Sequence, residues 1–216
     1  MICGRIDDFI TQVDMIDVIT KIKRLSVIDL QTGGYDAKEF GIDRSNRAYP
    51  WFKKIILDRI SDTIGYKLEL LTAMFKMSKG PFGVHCDRYP DDDQDRRYIT
   101  FLIPYSVDEH FNDITDAKTI IFNERDTFSQ FPMNPTTEHL PLVQDEQAGA
   151  ISIHSSDLTH IPVDTANVLT VRQILGWKIG SLLYWESDLL HCSNDFLAKG
   201  HASKECLVVF TKIAKD

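Results

Sequence analysis

His85 and Asp87 stand two residues apart, and a third residue of ligand type, His191, follows far downstream. On an extended strand, side chains alternate faces, so residues i and i+2 point the same way. His85 and Asp87 can therefore reach toward one point while Cys86, between them, faces away. If a second strand end brings His191 to the same place, two imidazoles and one carboxylate occupy one face of an octahedral metal ion. Three positions then stay open. That donor set suits non-haem Fe(II), which needs room for O2 and a cosubstrate.

The elements around these residues have the order such a site needs. Phe82-Gly83-Val84 leads into the first two ligands, and an Asp-rich polar loop runs from Arg88 to Arg97. Arg97 to Ile103 then reads as a buried strand, rich in β-branched and aromatic residues. Gly180 to Trp185 is a second such strand, closing on Ser187-Asp188-Leu189-Leu190-His191. Beyond His191 comes a turn-like segment with Gly200, then a final apolar strand, Glu205 to Thr211.

This order resembles the 2-oxoglutarate- and Fe(II)-dependent oxygenase superfamily: His-x-Asp, a strand with Arg and Thr before an apolar run, then Gly, an aromatic and His, with a basic residue beyond. The likeness spans roughly residues 66 to 213, and its diagnostic content lies in windows 82 to 106 and 180 to 212. It implies a mainly β (α+β) chain folded as a double-stranded β-helix, a cupin-like jelly-roll barrel. It also implies Fe(II) held by His85, Asp87 and His191, with 2-oxoglutarate and O2 as cosubstrates. A basic residue on the last core strand then grips the far carboxylate of 2-oxoglutarate. Lys204, thirteen residues after His191, is the expected anchor, and Lys199, eight after it, is the competitor. Lysine offers a point charge where many relatives use the bidentate fork of arginine. Thr100 is the expected second contact, since its strand runs beside the metal. The implied reaction is hydroxylation of an unactivated C–H, with release of succinate and CO2. Two other readings stand beside it: a cupin-like metalloenzyme without 2-oxoglutarate, and a non-catalytic binding protein on the same barrel.

Composition narrows the field. With 216 residues, 43% hydrophobic and 26% charged, the chain suits one domain with a sizeable core. A net charge of −8 argues against a broad nucleic-acid footprint and leaves a small molecule or peptide as the expected substrate. The sequence offers no apolar run long enough for a membrane span and no secretory leader. Four cysteines (Cys3, Cys86, Cys192, Cys206) lack close-pair zinc spacing, and as free thiols they fit the cytoplasm.

Residues 1 to 65 read as a helical support region, with apolar rhythm over Ile10 to Leu25 and again over Trp51 to Ile64, behind Pro50. Residues 66 to 213 read as the jelly-roll core. Its strands are expected at Tyr66 to Lys76, Thr119 to Phe122, Ala150 to Ile153 and Asn167 to Leu175, with an insertion near 123–148. Other chemistry-bearing residues have plainer readings. His154, His160 and His201 fit structural roles; Asp91-Asp92-Asp93 lacks the Gly and distal Glu of a calcium loop; Trp177, Tyr184 and Trp185 fit core or rim packing.

Overall fold

A computed structural model describes residues 2–25, 31–32, 38–87, 97–105, 117–125 and 157–215. Strands predominate and pair antiparallel. In chain order they are β1 (Cys3–Ile6), β2 (Gln31–Thr32), β3 (Lys38–Ile42), β4 (Leu68–Ser78), β5 (Tyr98–Tyr105) and β6 (Lys118–Arg125). Then follow β7 (Val171–Gly176), β8 (Leu182–Glu186), β9 (Leu189–Ser193) and β10 (Lys204–Ile213). The helices are α1 (Gln12–Leu25), α2 (Tyr49–Phe52), α3 (Asp58–Ile64) and α4 (Val163–Asn167), with a π-helical turn, Lys53–Leu57, joining α2 to α3.

Seven strands form a large sheet in the order β1-β8-β5-β10-β4-β3-β2, and three form a small sheet, β7-β6-β9. The two sheets make a double-stranded β-helix. Period-two alternation sorts the side chains of the large sheet into two layers. Phe101, Ile103, Leu207 and Val209 pack outward against Met15, Ile19 and Ile22 of α1 and against Phe52, Ile56 and Ile60. Leu102, Cys206, Val208 and Phe210 point the other way, into the barrel, where they meet Ile121, Leu175, Trp177 and Trp185. A third cluster (Val84, Ile120, Phe122, Val171, Leu190) covers the outer face of the small sheet.

Both N-terminal helices lie where the apolar rhythm places them, bracing the outside of the large sheet. Pro50 sits in the first turn of α2, where its missing N–H is no loss. The same N-terminal stretch also supplies β1 to β3, which extend the large sheet on both sides and which apolar periodicity did not reveal. The expected Asn167–Leu175 strand is shorter at its start: Pro162 opens the helical turn of α4, which takes up Asn167, and β7 begins at Val171. The expected strand 150–153 and most of the insertion, 126–148, lie outside the described residues. Among the described residues, no helix is long and apolar enough to cross a membrane.

Candidate metal centre

The three predicted ligands meet. His191 sits in mid-β9 opposite Ile121 of β6, so its side chain takes the inward direction. His85 faces it across a single antiparallel bridge, with His85 N–H donating to the His191 carbonyl (2.9 Å) and His191 N–H to that of His85 (2.8 Å). Asp87 N–H donates to the Ser187 carbonyl (2.8 Å). The ligand pair thus hangs on the edge of the small sheet as an extended segment. Over residues 82–87 the regular strand expected for it does not form: among the described residues the bridge is its only ladder pairing, and just upstream the Phe82 N–H turns to the Ser193 hydroxyl (2.7 Å).

The donor atoms of His85, Asp87 and His191 all lie within 4.8 Å of one another, and no other such group occurs among the described residues. His85 Nε2 is 3.9 Å from Asp87 Oδ1, and His191 Nε2 is 3.3 Å from Oδ2. Each histidine is oriented from behind. His85 Nδ1 contacts the Gly83 carbonyl (2.8 Å), and His191 Nδ1 contacts that of Leu189 (3.0 Å). A carbonyl can only accept, so Nδ1 carries the proton and Nε2 keeps its lone pair for the shared centre. The packing around His85 pushes its imidazole down to about 4, the His191 ring acts in the same direction, and Asp87 opposes both. His85 is therefore neutral near pH 7, as ligation demands. The donor set and its orientation fit a divalent transition metal with open positions.

Behind Asp87 the β8–β9 turn is clamped by charge. Arg125 donates to both oxygens of Asp188 (2.5 and 2.6 Å) and to Glu186 (2.5 Å), and Arg97 holds the other Glu186 oxygen. Burial pushes the Glu186 carboxyl up, but the hydrogen bonds from Arg125 and Arg97 outweigh it and hold the group below its ordinary range. Between these two carboxylates lies Ser187, whose carbonyl carries Asp87. Thr100 belongs to this frame. Its hydroxyl is fully buried against Ser187 Oγ (3.0 Å), off the cavity wall.

Beside the three donors opens a cavity of roughly 60 Å3, part of its mouth open to solvent. Lys204 starts β10 on the face shared with Cys206, Val208 and Phe210, and lines this cavity with Thr119 and Trp177. It is only 4% exposed. Its Nζ lies 4.2 Å from the centre of the Trp177 ring and 5.0 Å from that of Phe196, and no described carboxylate pairs with it. Trp177 is in turn pinned by its indole N–H, which donates to Thr119 Oγ1 (2.9 Å). Burial pushes the Lys204 ammonium down to about 8. Lys199, the competitor, instead approaches Asp157 (3.6 Å), which also receives Lys118 (3.0 Å).

Thr119, Trp177, Phe196 and the Trp185 contact described below were not singled out for the site by sequence reasoning. His160 bonds the Phe82 carbonyl (3.2 Å), and neither it nor His201 joins the metal cluster. His154 and Asp91 to Asp93 lie outside the described residues. Cys86 faces away, packed on the outer cluster of the small sheet, and none of the four cysteines forms a disulfide among the described residues. Burial pushes the Cys192 thiol up to about 12, which keeps it a poor ligand.

The two-sheet fold is that of solved non-haem iron, 2-oxoglutarate-dependent oxygenases. No family model and no curated protein matches the sequence; the likeness is one of structure. The chain is similar to the 2-oxoglutarate-dependent epimerase SnoN of nogalamycin biosynthesis, with a TM-score of 0.58 and 11% identity over 98% of this chain and 78% of that one. It is also similar to HygX from Streptomyces hygroscopicus, solved with nickel and 2-oxoglutarate bound (TM-score 0.53, 12% identity, 99% of this chain and 83% of that one). A Pseudomonas putida prolyl-4-hydroxylase superimposes with a TM-score of 0.52 at 12% identity, covering 99% of this chain and 93% of that one.

Proposed function

We propose that this protein is an Fe(II)- and 2-oxoglutarate-dependent oxygenase that hydroxylates an unactivated C–H of an amino acid, peptide side chain or small metabolite. The observation that carries the reading is Lys204, a buried cation without a carboxylate partner among the described residues, in the same cavity as three converging metal donors. An isolated buried charge is costly, and the natural relief is an anionic ligand. A diacid that reaches a metal with one end and an ammonium with the other supplies it.

In this reading, His85, Asp87 and His191 hold the ion, and Lys204 pairs with the far carboxylate of 2-oxoglutarate. Trp177 and Phe196 keep the lysine chain from folding back, and Leu102, Val208 and Phe210 exclude water from the apolar stretch between the two ends of the cosubstrate. Thr100 acts one step removed, through Ser187 and the backbone of Asp87. Bound there, Fe(II) supplies the redox chemistry, in which oxidative decarboxylation of 2-oxoglutarate to succinate and CO2 is coupled to oxidation of the substrate C–H. The acidic chain favours a small-molecule or peptide substrate over nucleic acid. Cysteines without disulfides among the described residues agree with a reducing, cytoplasmic setting.

Aerobic incubation with Fe(II) and 2-oxoglutarate, without substrate, is expected to release succinate slowly from the wild type. Asp87→Ala should release none above background. Succinate formation at equal rates in the two proteins would contradict the assignment.

A further inference from the structure

Trp185 stands in β8 with its ring 4.8 Å from that of His191, centre to centre, and its indole N–H donates to Asp87 Oδ2 (3.1 Å). It is 2% exposed and packs in the barrel interior, so its position is set by the core. One side chain thus touches two of the three metal donors. Asp87 Oδ1 accepts no hydrogen bond from the described residues and lies 3.9 Å from His85 Nε2, while Oδ2 also lies 3.3 Å from His191 Nε2.

We infer that Trp185 is a positioning residue that fixes the Asp87 carboxylate and so restricts it to ligation through a single oxygen. This rests on the reading that the centre binds a metal. A carboxylate can give an ion one oxygen or two. Which it does follows from what else its oxygens must satisfy, since partners behind the ligands set their orientation. The indole commits Oδ2 to a hydrogen bond, and turning the carboxylate to chelate with both oxygens would sacrifice that bond in a buried site. The consequence is chemical. Two imidazoles, two carboxylate oxygens and a bidentate 2-oxo acid would fill all six positions of an octahedral ion. With one Asp87 oxygen withheld, one position stays free.

The test uses the whole chain, metal-free, titrated anaerobically with Co(II) alone. Trp185→Phe keeps the ring and the core contact but removes the donor. The variant should bind Co(II) roughly 10-fold or more weakly, within the usual range for loss of a partner behind a ligand. Its visible cobalt bands should also change in position and intensity, because the set of atoms bound to the ion changes. A merely structural role would move the thermal midpoint of the metal-free protein and leave the cobalt spectrum alone. Should Trp185→Phe fold poorly, replacement by 3-benzothienylalanine, the same shape without the N–H, gives the same readout. Equal affinities and superimposable spectra in wild type and variant would overturn the inference and leave the metal site standing. A wild type that takes up no Co(II) would overturn both.

Discussion

Lys204→Met is expected to bind 2-oxoglutarate about 100-fold more weakly than the wild type, in line with loss of one partner of a buried charge pair. Without ligands, it should nonetheless be the more stable protein. The reason is that the ammonium is buried before any carboxylate arrives. Its pKa falls from an ordinary 10.5 to about 8 in the folded chain, so the unfolded chain binds more protons between those values. Wild-type stability should therefore rise with pH across that window, and below it the full cost of the buried charge is present. Methionine has similar length and no charge, and should raise stability at neutral pH by about 2 kcal/mol, part of the gain being offset by the lost contacts to Trp177 and Phe196. Chemical denaturation of both proteins from pH 7 to 10.5 checks this: the wild-type curve should rise and the variant's should lack that rise. The affinity of the wild type for 2-oxoglutarate should fall about tenfold per pH unit above pH 8, as the empty site loses its cation. A variant that is both weaker in binding and less stable would point to Lys204 as a packing residue.

Gly180→Ala should carry the largest stability loss. Gly180 adopts φ +76°, and a Cβ placed there would lie 2.1 Å from the Ile10 carbonyl oxygen. The residue is a junction. Its N–H donates to the Pro104 carbonyl (3.0 Å), and its own carbonyl accepts from Ile10 N–H (3.0 Å). It thus ties the segment before α1 to the end of β5 and the start of β8. Left-handed backbone costs an alanine about 1 kcal/mol, and the overlap with rigid backbone must add a displacement of Phe9 and Ile10 from the core. A total loss of about 3 to 4 kcal/mol is expected, or roughly 10 °C in thermal midpoint for a chain of this size. Calorimetry on the metal-free protein measures it. A shift under about 2 °C would mean that the N-terminal segment is not docked as described.

His85 and Asp87 were legible as a pair from residue type and a spacing of two, whereas His191 and the barrel followed from the family resemblance, with apolar runs marking the strands. The local conformation was less so. Gly80, Pro81 and Gly83 flank the His85 segment, and only its contacts to β9 and to Ser187 reveal that one bridge, not a ladder, holds it. Spacing alone left Lys199 and Lys204 in competition. Burial separates them, since Lys199 meets Asp157 while Lys204 enters the barrel on the inward face of β10. Trp177 and Trp185 read correctly as packing residues, and both are buried. An aromatic in a strand, however, gives no hint that its N–H points at Thr119 or Asp87; that depends on which strands become neighbours. β1 to β3 escaped notice for a related reason, as short strands at the two ends of the sheet recruited by pairing and not by their own apolar pattern.

The most direct test of the account is an anaerobic absorption titration of the metal-free protein with Fe(II) and 2-oxoglutarate, run on wild type, His191→Ala and Lys204→Met. The wild type should show a weak charge-transfer band that requires both additions. The band should be absent in His191→Ala and appear in Lys204→Met only at far higher 2-oxoglutarate. A wild type that binds Fe(II) yet shows no band at saturating 2-oxoglutarate would contradict the account, and would leave a metalloprotein that does not use this cosubstrate.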